Sequence, residues 1–148
     1  MKLLKDYVFV AIMSLNLGFL VFIFFYSEKD AFLGPCKFTI PGGTFDLDVR
    51  VIITKDTAYA AQYIRENLDA SVTGSDLDCR GVTIGAYEGR GPIIWLPTAE
   101  DVSINNHELF HATMNIMQWA GVEYSDKTEE TYAYQMQYLS NQFYTKIK

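Results

Sequence analysis

Ser103-Ile104-Asn105-Asn106-His107-Glu108-Leu109-Phe110-His111-Ala112-Thr113-Met114-Asn115-Ile116-Met117-Gln118-Trp119-Ala120-Gly121 holds both histidines of this 148-residue chain. They stand four positions apart, with a glutamate directly after the first. On a helix, positions i and i+4 share a face, so both imidazoles can approach one metal ion while Glu108 reaches the ion's water. Ser103 predicts the N-cap and Gly121 the stop, giving a helix over 104–120. A plainer reading is a surface helix whose polar residues are merely solvated. Against it, Ile104, Leu109, Phe110, Met114, Ile116, Met117 and Trp119 make the helix apolar around most of its girth, which predicts burial. Buried imidazoles and a buried carboxylate need partners, and a metal ion supplies them.

Catalytic zinc usually takes three protein ligands and leaves its fourth position to water. No other histidine exists, and Cys36 and Cys79 are distant in sequence, so a carboxylate is expected as the third ligand. Thr128-Glu129-Glu130-Thr131-Tyr132-Ala133-Tyr134 offers two at the start of a last helix, predicted over 128–144 with Tyr134, Met136, Leu139 and Phe143 among its apolar positions. Neighbouring helical residues point about 100° apart, so at most one of the pair faces the metal. Glu130 shares a face with Ala133, Tyr134 and Gln137, and the small Ala133 allows close helix approach, which favours Glu130 over Glu129. The plainer reading is that acidic residues in a first turn complement the helix dipole. Glu129 fits that reading, with Asp126 as a capping-box-like start.

Working outward, Phe45-Asp46-Leu47-Asp48-Val49-Arg50-Val51-Ile52-Ile53 alternates apolar and polar residues up to Ile52, predicting a strand with one buried face. Pro41-Gly42-Gly43 is a turn signal, and 36–40 is the expected hairpin partner. Asp56 or Thr57 caps a helix over 58–68, where Ala58, Ala61, Ile64 and Leu68 keep helical spacing. A second hairpin is expected from 81–87 and 92–96, turning at Gly89-Arg90-Gly91. No repeat or low-complexity segment interrupts this order. Strands, helix, strands and two helices amount to an α+β domain over 36–148 with a small mixed sheet.

From Tyr7 to Tyr26 the chain carries no charge. A span of about 20 apolar residues suffices to cross a bilayer as a helix, so 1–27 is read as an N-terminal membrane anchor and 28–35 as a linker. A cleaved signal peptide is the rival, but the run exceeds the usual apolar core, and no small-residue cleavage pattern stands at Phe25-Tyr26-Ser27-Glu28. Lys2 and Lys5 precede the run, which predicts a single pass with a cytoplasmic N-terminus and an extracytoplasmic domain. In an oxidising compartment Cys36 and Cys79 are candidates for one disulfide; two free thiols are the other reading. The formal charge of −6, with scattered Lys and Arg, argues against a nucleic-acid partner.

His107-Glu108-Leu109-Phe110-His111, followed by Glu130 and then Ala133-Tyr134, resembles the gluzincin branch of the zincin metallopeptidases, most closely the small HExxH domains of bacteria and their phages. The resemblance covers about 92–139. It implies a minimal zincin-like domain holding one zinc ion through His107, His111 and Glu130, with Glu108 as general base for peptide hydrolysis. Zincins place the strand before the active helix beside the cleft, where it pairs with an extended peptide; Ile93-Ile94-Trp95-Leu96 holds that place here. Tyr124, Tyr132 and Tyr134 are candidate donors to the oxyanion, although with ten tyrosines each is individually better explained by packing. Thermolysin-like enzymes place an aspartate where Tyr134 stands, and Met114 and Met117 occupy the metzincin Gly and third His positions. The expected function is thus a membrane-anchored zinc metallopeptidase acting on a peptide or protein. A zincin-fold module that binds without turnover, and a hydrolase of a non-peptide amide such as a cell-wall crosslink, are the alternatives.

Overall fold

The computed structural model of the chain describes residues 7–13, 20–26, 34–68 and 71–148. It divides into two compact units, Met1–Gly34 and Pro35–Lys148. In the first, β1 (Tyr7–Met13) pairs antiparallel with β2 (Leu20–Tyr26). The helix expected over the uncharged run is not seen in these two stretches, where Val, Ile, Phe and Tyr dominate and favour strands; the rest of the expected anchor lies outside the described residues. Among the described residues no helix is long and apolar enough to cross a membrane. The expected linker lies, but for its last two residues, outside the described residues.

The second unit is α+β. Its elements are β3 (Cys36–Ile40), β4 (Val49–Ile53), α1 (Thr57–Leu68), β5 (Val82–Ile84), β6 (Ile93–Leu96), α2 (Val102–Trp119) and α3 (Glu129–Lys146). The sheet order is β3-β4-β6-β5. β3 and β4 are antiparallel, β4 and β6 parallel, β6 and β5 antiparallel, so the sheet is mixed. The parallel step between β4 and β6 requires a crossover, which α1 provides.

Strand alternation sorts the core into two layers. Val49 and Val51 of β4 with Ile94 and Leu96 of β6 face Leu109, Ala112 and Ile116 of α2 and Leu139 and Phe143 of α3. Ile52, Ile93 and Trp95 face Ala60, Ala61, Ile64 and Leu68 of α1 on the other side. β4 is therefore covered on both faces rather than one. Its Arg50, only partly buried, donates to the Asn67 carbonyl at 3.2 Å and to the Gly91 carbonyl at 2.9 Å, tying the end of α1 to the second hairpin.

Local signals account for most element ends. Asp56 Oδ1 accepts the Tyr59 amide at 2.9 Å and caps α1. α2 starts earlier than Ser103 predicts, because Asp101 Oδ1 accepts the Ile104 amide at 3.2 Å. That hydrogen bond, followed by burial and the Arg80 partner, sets the Asp101 pKa, with the balance below its ordinary value. The second hairpin turns on Glu88 and Gly89, both at positive φ (47° and 77°), with Tyr87 and Arg90 paired across it. This is a two-residue primed turn one position earlier than the glycine pattern suggested. At the far end of α2, Gly121 has φ 71°, its amide bonds the Gln118 carbonyl at 3.0 Å, and the Val122 amide bonds the Met117 carbonyl at 2.9 Å. Together these bonds form a Schellman stop.

A methyl group at Gly121 meets no atom within 4 Å, so substitution there tests the backbone alone. Gly121→Ala is expected to cost about 1 kcal/mol for the left-handed φ, read as a lower urea midpoint with an unchanged denaturant slope.

Candidate functional site

α2 presents three distinct surfaces because its residues advance about 100° each. Leu109, Ala112, Thr113, Ile116 and Met117 are buried. Glu108 also lies inward, 4% exposed, where α2 meets the β5 end of the sheet. His107 and His111 stand on the outer side and are exposed. Phe110 and Trp119 are about half exposed, so the helix is buried along one side only, not around most of its girth.

The histidine rings meet edge to face, with centroids 4.6 Å apart and planes at 84°. Their Nε2 atoms lie 3.0 Å apart. Two imidazole nitrogens held at about 2.0–2.1 Å by one tetrahedral ion stand roughly 3.3 Å apart. The observed spacing suits a shared ion, and equally a hydrogen bond between two neutral rings. The pair therefore fits zinc as two of its ligands.

A cleft of about 250 Å³ opens beside the pair. Gly81, Val82 and Thr83 form one wall, and His107, Glu108, His111 and Asn115 the other. The Thr83 hydroxyl lies 2.7 Å from Glu108 Oε2 and 2.9 Å from the Glu108 carbonyl oxygen. Thr83 was not singled out by sequence reasoning. Its available signal was the pattern Gly81-x-Thr83-x-Gly85, a polar residue flanked on one strand face by glycines.

The other expected site residues lie elsewhere. Glu129 and Glu130 are exposed in the first turn of α3, and neither lines the cleft. Two contacts set the register of α2 against α3: Tyr144 hydroxyl to Asn106 Oδ1 at 3.0 Å, and Thr113 hydroxyl to Met136 Sδ at 3.5 Å. On that antiparallel register Glu130 falls level with the end of α2, near Trp119 and Ala120, rather than opposite His111. With a rise of 1.5 Å per residue, the axial offset is on the order of 10 Å. Ala133 is exposed and takes no part in close packing. Among the described residues no group of three or more His, Cys, Asp and Glu is arranged to hold a metal ion.

None of the candidate oxyanion tyrosines lines the cleft. Tyr132 is buried and donates to the Val122 carbonyl at 2.6 Å, holding the loop between α2 and α3. Tyr124 packs edge-on against Tyr132, and Tyr134 lines a separate hollow with Phe45 and Tyr138. The candidate disulfide is also corrected: Cys36 and Cys79 are free, exposed thiols. Cys36 opens β3 and Cys79 leads into β5, the two opposite edges of the sheet. Three strand spacings, about 14 Å, separate those edges, well beyond disulfide reach.

The strand expected to pair with substrate changes as well. β6 is hydrogen-bonded to β4 on one side and β5 on the other, so it has no edge to offer. Among the described residues β5 is the edge strand on the cleft side. Comparison with protein-family models, curated proteins and solved structures finds no match.

A methyl group built on Gly81 would lie 2.8 Å from Ile104 Cγ2 and 3.2 Å from Glu108 Cγ. Gly81→Ala is therefore expected to force the strand off α2 and cost about 1–3 kcal/mol. Urea unfolding monitored through the tryptophans measures it.

Proposed function

We propose that this chain is a zinc-dependent amide hydrolase, a metallopeptidase acting on extended peptide. The observation that carries the reading is the convergence of His107 and His111 Nε2 atoms beside a buried Glu108 carboxylate, in a cleft walled by an edge strand. Bound zinc supplies a water acidic enough to be activated near neutral pH and an electrophile for the scissile carbonyl. His107 and His111 would be two of the ligands; the third position, expected from the sequence to be filled by Glu130, is met by no carboxylate other than Glu108 among the residues lining the cleft.

Glu108 accepts the proton of the attacking water and later returns it to the leaving amine, which conserves protons over the cycle. Its neighbour β5 offers backbone groups along an open edge, so an extended peptide can add as a further strand and lie across the cleft. Such binding reads backbone rather than side chains, and a cleft of this size has little wall with which to select residues.

The placement of Glu130 favours one competing reading, a zinc-binding module without turnover, because two exposed histidines alone make a weak site. Zinc content and peptide-library cleavage separate the two. One zinc per chain, lost in His111→Ala, together with cleavage lowered at least a hundredfold by Glu108→Gln, supports the hydrolase. Stoichiometric zinc without any cleavage supports the binding module, and no zinc sinks both. Zinc affinity lowered in Glu130→Gln assigns that residue as a ligand; unchanged affinity removes it from the set. Purified cell wall as substrate tests the non-peptide amide.

Membrane attachment and an extracytoplasmic domain rest on the uncharged run from Tyr7 to Tyr26 and the lysines before it. Because Cys36 and Cys79 are exposed and free, a membrane-impermeant maleimide is expected to label both in intact cells. Labelling only after lysis places the domain inside.

A further inference from the structure

We infer that Thr83 is the positioning residue for the Glu108 carboxylate, delivered to it by a glycine-flanked edge strand. The inference rests on the reading of Glu108 as the general base and adds what holds that base in place.

Three observations meet at this point. The side chains of β5 alternate: Val82 and Ile84 pack with Ile93, Trp95 and the α1 layer, which turns Thr83 toward α2. Gly81 and Gly85 bracket Thr83 on that same side. A Cβ at Gly81 would crowd Ile104 and Glu108, and one at Gly85 would lie 2.6 Å from Asn115 Oδ1. The bare position at Gly81 is what lets the strand press close enough for the short Thr83 side chain to reach α2, whereas at Gly85 the end of the Asn115 side chain could turn aside. At that distance its hydroxyl stands 2.7 Å from Glu108 Oε2 and 2.9 Å from the Glu108 carbonyl oxygen.

A hydroxyl has one proton, so of these two acceptors it serves one at a time. A carboxylate oxygen is a stronger acceptor than a helix carbonyl already bonded within its helix, so the Thr83 hydroxyl donates to Glu108 Oε2. Thr83 thereby fixes the Glu108 side chain against its own helix turn, where a buried carboxylate without a donor is costly to hold. A base held in one orientation serves a proton transfer that tolerates little misplacement. Because Thr83 sits on the open edge strand, the element that binds peptide in the proposed function also carries the residue that orients the base.

The test compares full-length wild type, Thr83→Val and Thr83→Ser, zinc-loaded, on the peptide that wild type cleaves best. Thr83→Val keeps the shape and removes the donor. It is expected to lower kcat about ten- to a hundredfold, as loss of a hydrogen bond to a charged group implies, with KM and zinc affinity by chelator competition unchanged. Thr83→Ser is expected to recover most of kcat. Crystal structures give the readout independent of activity, with Glu108 turned away from position 83 in the valine variant and retained in the serine variant. If Thr83→Val does not fold, Thr83→Ala takes its place in both measurements. An active wild type with kcat unchanged in the donor-free variant, or a Glu108 carboxylate that stays put without the hydroxyl, overturns the positioning role alone. A wild type that carries zinc and cleaves nothing overturns the general-base reading and this role with it.

Discussion

Ile93-Ile94-Trp95-Leu96 is the strand on which the rest of the second unit depends. It is hydrogen-bonded on both sides, to β4 and β5, and its four residues are all at most 1% exposed. Each side chain of this size contributes about 1.5–3 kcal/mol by leaving water, and the two faces do so against different partners. Ile93 and Trp95 anchor α1; Ile94 and Leu96 anchor α2 and α3. A strand covered on both faces reads as an unbroken apolar run rather than an alternating one. Trp95 completes its polar account by donating its indole N–H to the Thr54 carbonyl at 3.0 Å.

The cleft is a consequence of that arrangement. With β6 in the middle of the sheet, β5 becomes the edge, and α2 lies against it. The contact between them is polar at Thr83 and Glu108 and tight at Gly81 and Gly85. Burying a carboxylate is expensive unless donors face it, and here the donor comes from the edge strand on the cleft side. The histidines pay no such cost, since they remain in water on the outer side of the helix. The site thus divides into an exposed pair of nitrogen donors and a buried acid, one residue apart in sequence and separated by helix geometry.

Much of this was legible in the residues themselves. The His107–His111 pairing follows from helical periodicity, and both hairpins, the three helices of the second unit and the Gly121 stop follow from local patterns. Where local readings missed, the competing signal was close at hand: Asp101 caps α2 ahead of Ser103, and Glu88-Gly89 makes the turn ahead of Arg90. In the uncharged run, the two described stretches rich in Val, Ile and Phe pair as strands, a distinction that hydropathy alone does not make. Phe110 and Trp119 misled in the other direction, since large apolar residues on a helix do not by themselves prove burial.

What the sequence by itself determined is the chemistry of short range: two imidazoles and a carboxylate on one helix, whose relative placement needs only the 3.6-residue turn. Tertiary structure alone decided what stands around them. Strand order put β5, not β6, at the edge and set Cys36 and Cys79 on opposite sides of the sheet. The axial register of α2 against α3 carried Glu130 to the far end of the active helix, away from His111. The close approach of β5 brought Thr83 to Glu108, twenty-five residues away in the chain. None of these is set by neighbours in sequence, because order, register and approach distance follow from how whole faces pack to bury apolar surface.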